Sequence, residues 1–414
     1  MISKSNLQGC TLIVATPFKD GGDEVGLRSE VEYLIASGKR QKMTSPLLEH
    51  PAPDFAELEQ VLKGEQEPRR VHLVELHIDH EVLQTINERY LSEPWIGWDR
   101  PSGAPPTKPY FRQLITLYYR LGYDCVPTLP VWVHHPPRRW QKTEDTAKLS
   151  RGEREWVDES RGLISSWEEF EQFPWDKIKP DLSPYELVAQ NLPEGMKMTV
   201  MATFFEHVLE TLLGYEGLFY MLYDEPDLVA KVFSLWGQKV YDYYESVIGL
   251  EEVGAIFHAD DLGFKTSTLL SPDALRQHVF PWLNKYAALA HEHGKMFWYH
   301  CCGNVYKSGV IEDIIEDVRI DALHSFQDVI LPVADFKARY GDRVATLGGV
   351  DMDKLARLDE ASLREYIRAI LERCMPGGRF ALASGNSIAN YIPLQNYCIM
   401  LEESRRWQPP GRRR

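Results

Sequence analysis

The stretch KMFWYHCCGNV, residues 295 to 305, decides how the chain is read. Its apolar run, Met296 to Tyr299, stops at His300, Cys301, Cys302 and Gly303. The run has the length of a short buried strand, and Gly303 marks the turn that follows. A histidine and a cysteine two residues apart at a strand end can aim an imidazole and a thiolate at one point. Zinc suits such a pair, because it takes nitrogen and sulfur ligands tetrahedrally. The same residues also fit a plain core, since free cysteine is commonly buried. The rest of the chain has to decide.

Outward from that stretch, short apolar segments recur at 71–77, 123–127, 197–202 and 254–258, then at 295–300, 320–324, 344–348 and 379–383. Helical stretches lie between the later ones, at 226–247, 272–293, 305–317 and 361–374, and another opens at Asp54 with Phe55, Leu58, Val61 and Leu62 in helical spacing. Strands alternating with helices imply a parallel sheet. Eight of them over about 340 residues fit a single α/β (β/α)8 TIM barrel with insertions. A doubly wound open sheet is the rival, and it is weakened because no G-x-G-x-x-G follows the first strand. The stretch 132–193, rich in Trp, Pro and charge, is a long insertion after the second strand, and its Trp content predicts an ordered lid or wall.

Barrel chemistry sits where strands end and βα loops begin. Those ends carry Glu75, His77 and Asp79; His258, Asp260 and Asp261, with Lys265 close behind; and His300 and Cys302. They continue with His324, Gln327 and Asp328; Gly348, Gly349 and Asp351; and Ser384 and Asn386. Singly, an acid or serine in such a place is equally a helix cap. Asp351 fits either description.

The chain has 414 residues, a net charge of −15 and six cysteines without disulfide-framework spacing. The negative balance argues against nucleic acid as a partner. No stretch approaches the ~20 apolar residues that span a bilayer, and no secretory pattern opens the chain. A soluble, reducing, cytoplasmic setting is expected.

Residues 1–45, containing GCTLIVATPFKDGGDEVGLRSEVEYLIASG, read as strand, turn and helix. They resemble the first βα unit of the dihydrodipicolinate synthase family, without the tyrosine and lysine pair that would imply Schiff-base chemistry. The expected organisation is an N-terminal βα appendage (1–45), a linker (46–53), the barrel (54–407) and a basic tail (408–414).

The segments DDLGFKTSTLLSPDALRQHVFPWL (260–283), HCCGNV (300–305), DALHSFQ (321–327), YGDRVATLGGVD (340–351) and SGNSIANYIPLQNY (384–397) together resemble the uroporphyrinogen decarboxylase superfamily. That superfamily includes the haem-pathway decarboxylase and zinc-dependent methyltransferases that exchange methyl groups with corrinoid proteins. The resemblance implies one barrel, often a homodimer. The decarboxylase has an arginine-bearing R-Q-A-G-R segment at its first strand, where this chain reads VHLVELHIDH. The acids Glu75, Asp79, Asp260 and Asp261 would repel a polycarboxylate. The methyltransferase branch holds zinc through His-x-Cys and a second, downstream Cys. His300 and Cys302 match the pair as metal ligands, and Asn386 stands where the downstream Cys would be.

The resemblance therefore implies a methyltransferase or demethylase that moves a methyl group between a small substrate and a corrinoid on a partner protein, with zinc in the site. Asp260, Asp261, Lys265 and Glu75 are its candidate catalytic groups. His77, His324, Gln327, Asp351 and Asn386 are candidate substrate contacts. The alternatives are a cofactor-free decarboxylase (a lyase) in the same barrel and a non-catalytic small-ligand-binding barrel.

Overall fold

The computed structural model describes residues 45–98, 106–137, 140–146, 152–157 and 162–409. The strand–turn–helix expected near the N-terminus falls on residues 1–44, and most of the basic tail on 410–414, both outside the described residues.

Seven parallel strands lie side by side in chain order: Cys125–Thr128, Lys197–Val200, Val253–Ala259, Met296–His300, Ala322–His324, Ala345–Val350 and Phe380–Ser384. Each matches one of the predicted segments. The eighth, 71–77, is not a regular strand. Among the described residues it joins the sheet on one side only, through Val74 N–H to the Leu382 carbonyl (3.1 Å) and Leu382 N–H to the His72 carbonyl (2.9 Å). On its other side the seam is held by a carboxylate. Asp124, fully buried just before the Cys125–Thr128 strand, meets His72 Nδ1 at 2.8 Å, accepts the Asp54 N–H at 2.7 Å and pairs with Arg70. The barrel is thus closed by side chains where ladder bonds are lacking. Asp124→Asn keeps the volume but removes the charge from these bonds. It is expected to cost about 2 kcal/mol, the scale of a hydrogen bond to a charged group, read as a lower urea midpoint.

Period-two alternation divides the strand side chains between two cores. Ala255, Phe257, Ala259, Met296, Trp298, Ala322, Ala345, Leu347 and Ala381 fill the barrel's interior. Ile256, Phe297, Tyr299, Leu323, Val350 and Leu382 face the ring of helices. The helix Phe55–Lys63 plugs the interior from the strands' N-terminal end. Its Phe55 stacks on Trp298 at 5.9 Å, and Gly254 has no room for a Cβ because that ring fills the space. Asp54 caps the helix, accepting the Glu57 N–H, and Gly64 closes it in the left-handed conformation, φ 73°.

Two predicted helices are interrupted. The stretch 272–293 forms Pro272–His278 and Phe280–Glu292, because Pro281 has no N–H to continue the ladder across the joint. The stretch 305–317 becomes helical only at Val310, after Gly309 at φ 78°, and ends in wide turns over Asp313–Val318. In the insertion, Val131–Val133 pairs antiparallel with Lys179–Asp181, and Trp140–Glu144 with Glu153–Val157. Trp132 anchors it, packing on Trp236 (5.0 Å) and Tyr243 (5.9 Å). The following helix, Ser183–Ala189, packs on Lys108–Leu121 and so belongs to the barrel's outer ring.

Candidate metal centre

The alternation that fills the barrel also aims the residues beyond the strand ends. Met296 and Trp298 face the axis, so His300 and Cys302 continue on that side, whereas Cys301 falls among the outer core with Tyr299. Ala255, Phe257 and Ala259 likewise put Asp261 toward the axis, and Asp260 with His258 toward the helices. Asp261, His300 and Cys302 are accordingly brought together, each with one ligand atom within 4.8 Å of the others. His300 Nε2 lies 3.3 Å from Asp261 Oδ1 and 3.6 Å from Cys302 Sγ. The Cys302 N–H fixes the carboxylate by donating to Asp261 Oδ1 at 2.8 Å.

Two further groups reach the sulfur. Asn386 Nδ2 donates to Cys302 Sγ at 3.0 Å, and the Ser325 hydroxyl is 3.3 Å away. Behind His300, its Nδ1 meets His324 Nδ1 at 2.7 Å, and His324 Nε2 meets the Ser384 carbonyl at 3.2 Å. Burial pulls the His300 pKa down, but the charge on Cys302 and the contacts to Asp261 outweigh it and push it up to about 10. His324 is driven well below the usual histidine range by burial and by the neighbouring His300.

The other predicted residues lie elsewhere. Asp260 is fully buried, its oxygens accepting the N–H groups of Phe204 (2.9 Å), Phe205 (2.9 Å) and Glu206 (3.0 Å) and meeting His258 Nε2 at 2.9 Å. Asp351 caps the helix Met352–Arg357 through the Asp353 and Lys354 amides, and also accepts the Asp328 N–H. Glu75 sits in the outer layer, bonded to the Ser384 amide and hydroxyl, where burial raises its pKa to about 8 against those bonds. His77 stands 3.7 Å from Asp79 at the surface. Lys265 is exposed on the loop after Asp261. Gln327 lines a small cavity with Gly303, Tyr306, Ser325, Ile330 and Leu331, and its buried Oε1 has no hydrogen-bond partner among the described residues.

One acid was missed. The Glu206 pKa is raised well above the ordinary carboxylate range, by burial and then by the charges of Asp261, Glu210, Asp260 and Cys302. It follows the strand at Lys197–Val200, in ATFFEHVLE.

The donor set fits zinc. At zinc's bond lengths, tetrahedral nitrogen–sulfur and nitrogen–oxygen edges measure about 3.5 and about 3.4 Å, close to the two distances at His300. Three protein ligands with a fourth position left over is the arrangement of catalytic rather than structural zinc.

Fold and site together define a (β/α)8 barrel with a mixed nitrogen, sulfur and oxygen constellation at the strands' C-terminal mouth. The chain belongs to the uroporphyrinogen decarboxylase (URO-D) family, whose model matches residues 185–407. Among curated proteins, none matches the chain. Among solved structures it is similar to a methyltransferase from Methanosarcina mazei, at 15% identity and TM-score 0.60, covering 85% of this chain and 98% of that one. It is far less similar to xylanase B from Clostridium stercorarium F9, at 11% identity and TM-score 0.35, covering 54% and 84%. No described helix is long and apolar enough to cross a membrane.

Proposed function

We propose that the chain is a zinc-dependent methyltransferase or demethylase that moves a methyl group between a small substrate and a corrinoid carried by a partner protein. The observation that carries this reading is the convergence of Asp261, His300 and Cys302, with ligand atoms within 4.8 Å of one another and the two distances from His300 close to tetrahedral edges. Bound zinc would supply positive charge that lowers the pKa of a substrate thiol or polarises an ether oxygen. Asn386 stands where the methyltransferase branch has its second cysteine, so Asp261 would supply the third donor from another strand end. Asn386 serves differently there, donating a hydrogen bond that steadies the Cys302 sulfur.

The remaining residues hold the substrate and manage protons. The unpaired Gln327 carbonyl, in a cavity beside Ser325, suits a hydroxyl or amine N–H on the substrate. Glu206, whose pKa is raised by burial and by the neighbouring acids, would give a proton to a leaving heteroatom.

Elemental mass spectrometry of untagged protein tests the centre. About one zinc per chain is expected in the wild type, with loss to near background in Cys302→Ser, while Asn386→Cys keeps its zinc. A wild type without zinc, or zinc gained only in Asn386→Cys, would defeat the reading.

A further inference from the structure

We infer that the helix Tyr215–Asp224 and the adjoining Trp167 form a docking face for a protein partner that presents a basic, arginine- or lysine-bearing surface. That helix is apolar on two sides. Leu218 and Met221 turn inward and are buried. Glu216, Phe219, Tyr220 and Tyr223, spaced i, i+3, i+4 and i+7, make one stripe on the other side, and all four are exposed. Tyr220 is 70% and Tyr223 88% exposed. A surface helix gives such a stripe to polar residues, and a helix apolar all round is a covered one. Among the described residues nothing covers this second side. Seven large apolar side chains are exposed among those residues, and all lie in connections that leave the strands' C-terminal ends, on the side of the candidate metal centre. Ile96, Phe264 and Val329 are single residues in separate loops, which is ordinary for a protein surface. Phe219, Tyr220 and Tyr223 share one helix, and Trp167 of the insertion is tied to its end, its Nε1 donating to Glu225 Oε2 at 3.3 Å.

The charge beside these rings is of one sign. Residues 163–176 and 215–230 hold eight acids and no lysine or arginine. Glu168, Glu171, Glu216, Asp224, Glu225 and Asp227 are exposed among them. An aromatic face with an acidic rim attracts a cation twice. The negative face of a ring takes a guanidinium or ammonium lying over it, and the carboxylates pair with the same group. Other occupants fit less well. Nucleic acid and an anionic membrane surface carry the wrong sign. A second copy docked about a twofold axis would set these acids against themselves. The chain's own basic run starts at the opposite end of the barrel, where Arg405 bonds the Leu121 and Pro46 carbonyls just ahead of the Cys125–Thr128 strand. This face stands whether or not the centre in the barrel mouth binds zinc.

The test is fluorescence anisotropy of the whole chain with a labelled peptide of alternating arginine and glycine, beside a glutamate–glycine peptide as control, at low and high salt. Two double variants divide the face. Tyr220→Ser with Tyr223→Ser removes the rings and keeps the acids. Glu216→Gln with Asp224→Asn removes charge and keeps the rings. All four positions are exposed, so both variants should fold. The arginine peptide should bind the wild type, more weakly as salt rises, and the glutamate peptide should not bind. The tyrosine variant should bind about 5- to 30-fold more weakly, the scale of two exposed contacts between a cation and a ring. The acid variant should also bind more weakly, with a shallower salt dependence. A wild type that ignores the arginine peptide would overturn the inference. Equal binding by the tyrosine variant would do so too, because general acidity would then explain the attraction. So would sedimentation showing a dimeric wild type and a monomeric tyrosine variant, which would make the stripe a contact between copies of this chain.

Discussion

An Asp260→Ala chain is expected to lose about 3–5 kcal/mol of stability, the cost of removing one partner from a buried charged network. The carboxylate accepts three consecutive main-chain N–H groups, from Phe204, Phe205 and Glu206, which open the helical segment running through His207 to Leu212. Those are the groups that a helix leaves without partners at its start, and its dipole favours a negative charge there. The fourth contact, His258 Nε2, is tied in turn to the Tyr244 hydroxyl at 2.8 Å. Alanine would leave three amides and an imidazole facing an apolar shell without water, which is where unmade hydrogen bonds cost most. Asp260→Asn, which keeps one acceptor, should lose about half as much. Asp261→Asn is the contrast: stability within about 1 kcal/mol of wild type, because its carboxylate lies at the axial mouth, but zinc binding lost. Urea unfolding of the three variants, with metal content measured alongside, separates the neighbours. A loss below about 1 kcal/mol for Asp260→Ala would mean that the network is not the anchor described.

That contrast also shows what the sequence could and could not display. All eight barrel segments were legible as apolar runs, and the His300/Cys302 pair was visible from its spacing. The division of labour between Asp260 and Asp261 was legible too, but only by carrying strand parity past the last strand residue. Counting in twos from Phe257 reaches Asp261, and counting from His258 reaches Asp260. The same count separates Cys302 from Cys301. What parity cannot supply is distance between strands. The convergence of Asp261 on His300 depends on neighbouring parallel strands in register, Ala259 opposite His300. The His300–His324 contact depends likewise on the pairing of those two residues across the next ladder. Glu206 escaped because its strand end passes through Thr203, Phe204 and Phe205 before reaching an acid, and apolar residues hid the polar end. The one-sided pairing of 71–77 was not legible at all. Its apolar pattern is that of a strand, and what it lacks is a partner ladder, which Asp124 replaces with side-chain bonds.

Glu75→Gln is expected to make the folded chain more stable than wild type in alkaline solution while leaving it nearly unchanged in acid. Burial raises the Glu75 pKa to about 8, and the Ser384 amide and hydroxyl pull it back only in part. The carboxyl sits in the outer layer near three buried tyrosines, Tyr118, Tyr123 and Tyr397, two of which bond each other at 2.8 Å. A folded pKa above the unfolded value means that the native state holds this proton more tightly than the unfolded chain. Stability is therefore fully present below the ordinary glutamate pKa near 4.5. It declines by about 1.4 kcal/mol per pH unit above that, and the decline is complete once pH has passed through about 8. Glutamine has the neutral carboxyl's shape and can still accept from Ser384, so it should remove this slope. Unfolding by urea at pH 5.5, 7 and 8.5 gives the difference between the chains. His300 also titrates high, but it does so in both and cancels. The difference should grow in favour of Glu75→Gln by roughly 1.4 kcal/mol per unit, to several kcal/mol at the top of the range. A flat difference would mean that Glu75 is already ionised at neutral pH. In that case the layer between the barrel and its helices must hold a counter-charge, and the acid could not serve as a proton donor from behind Ser384.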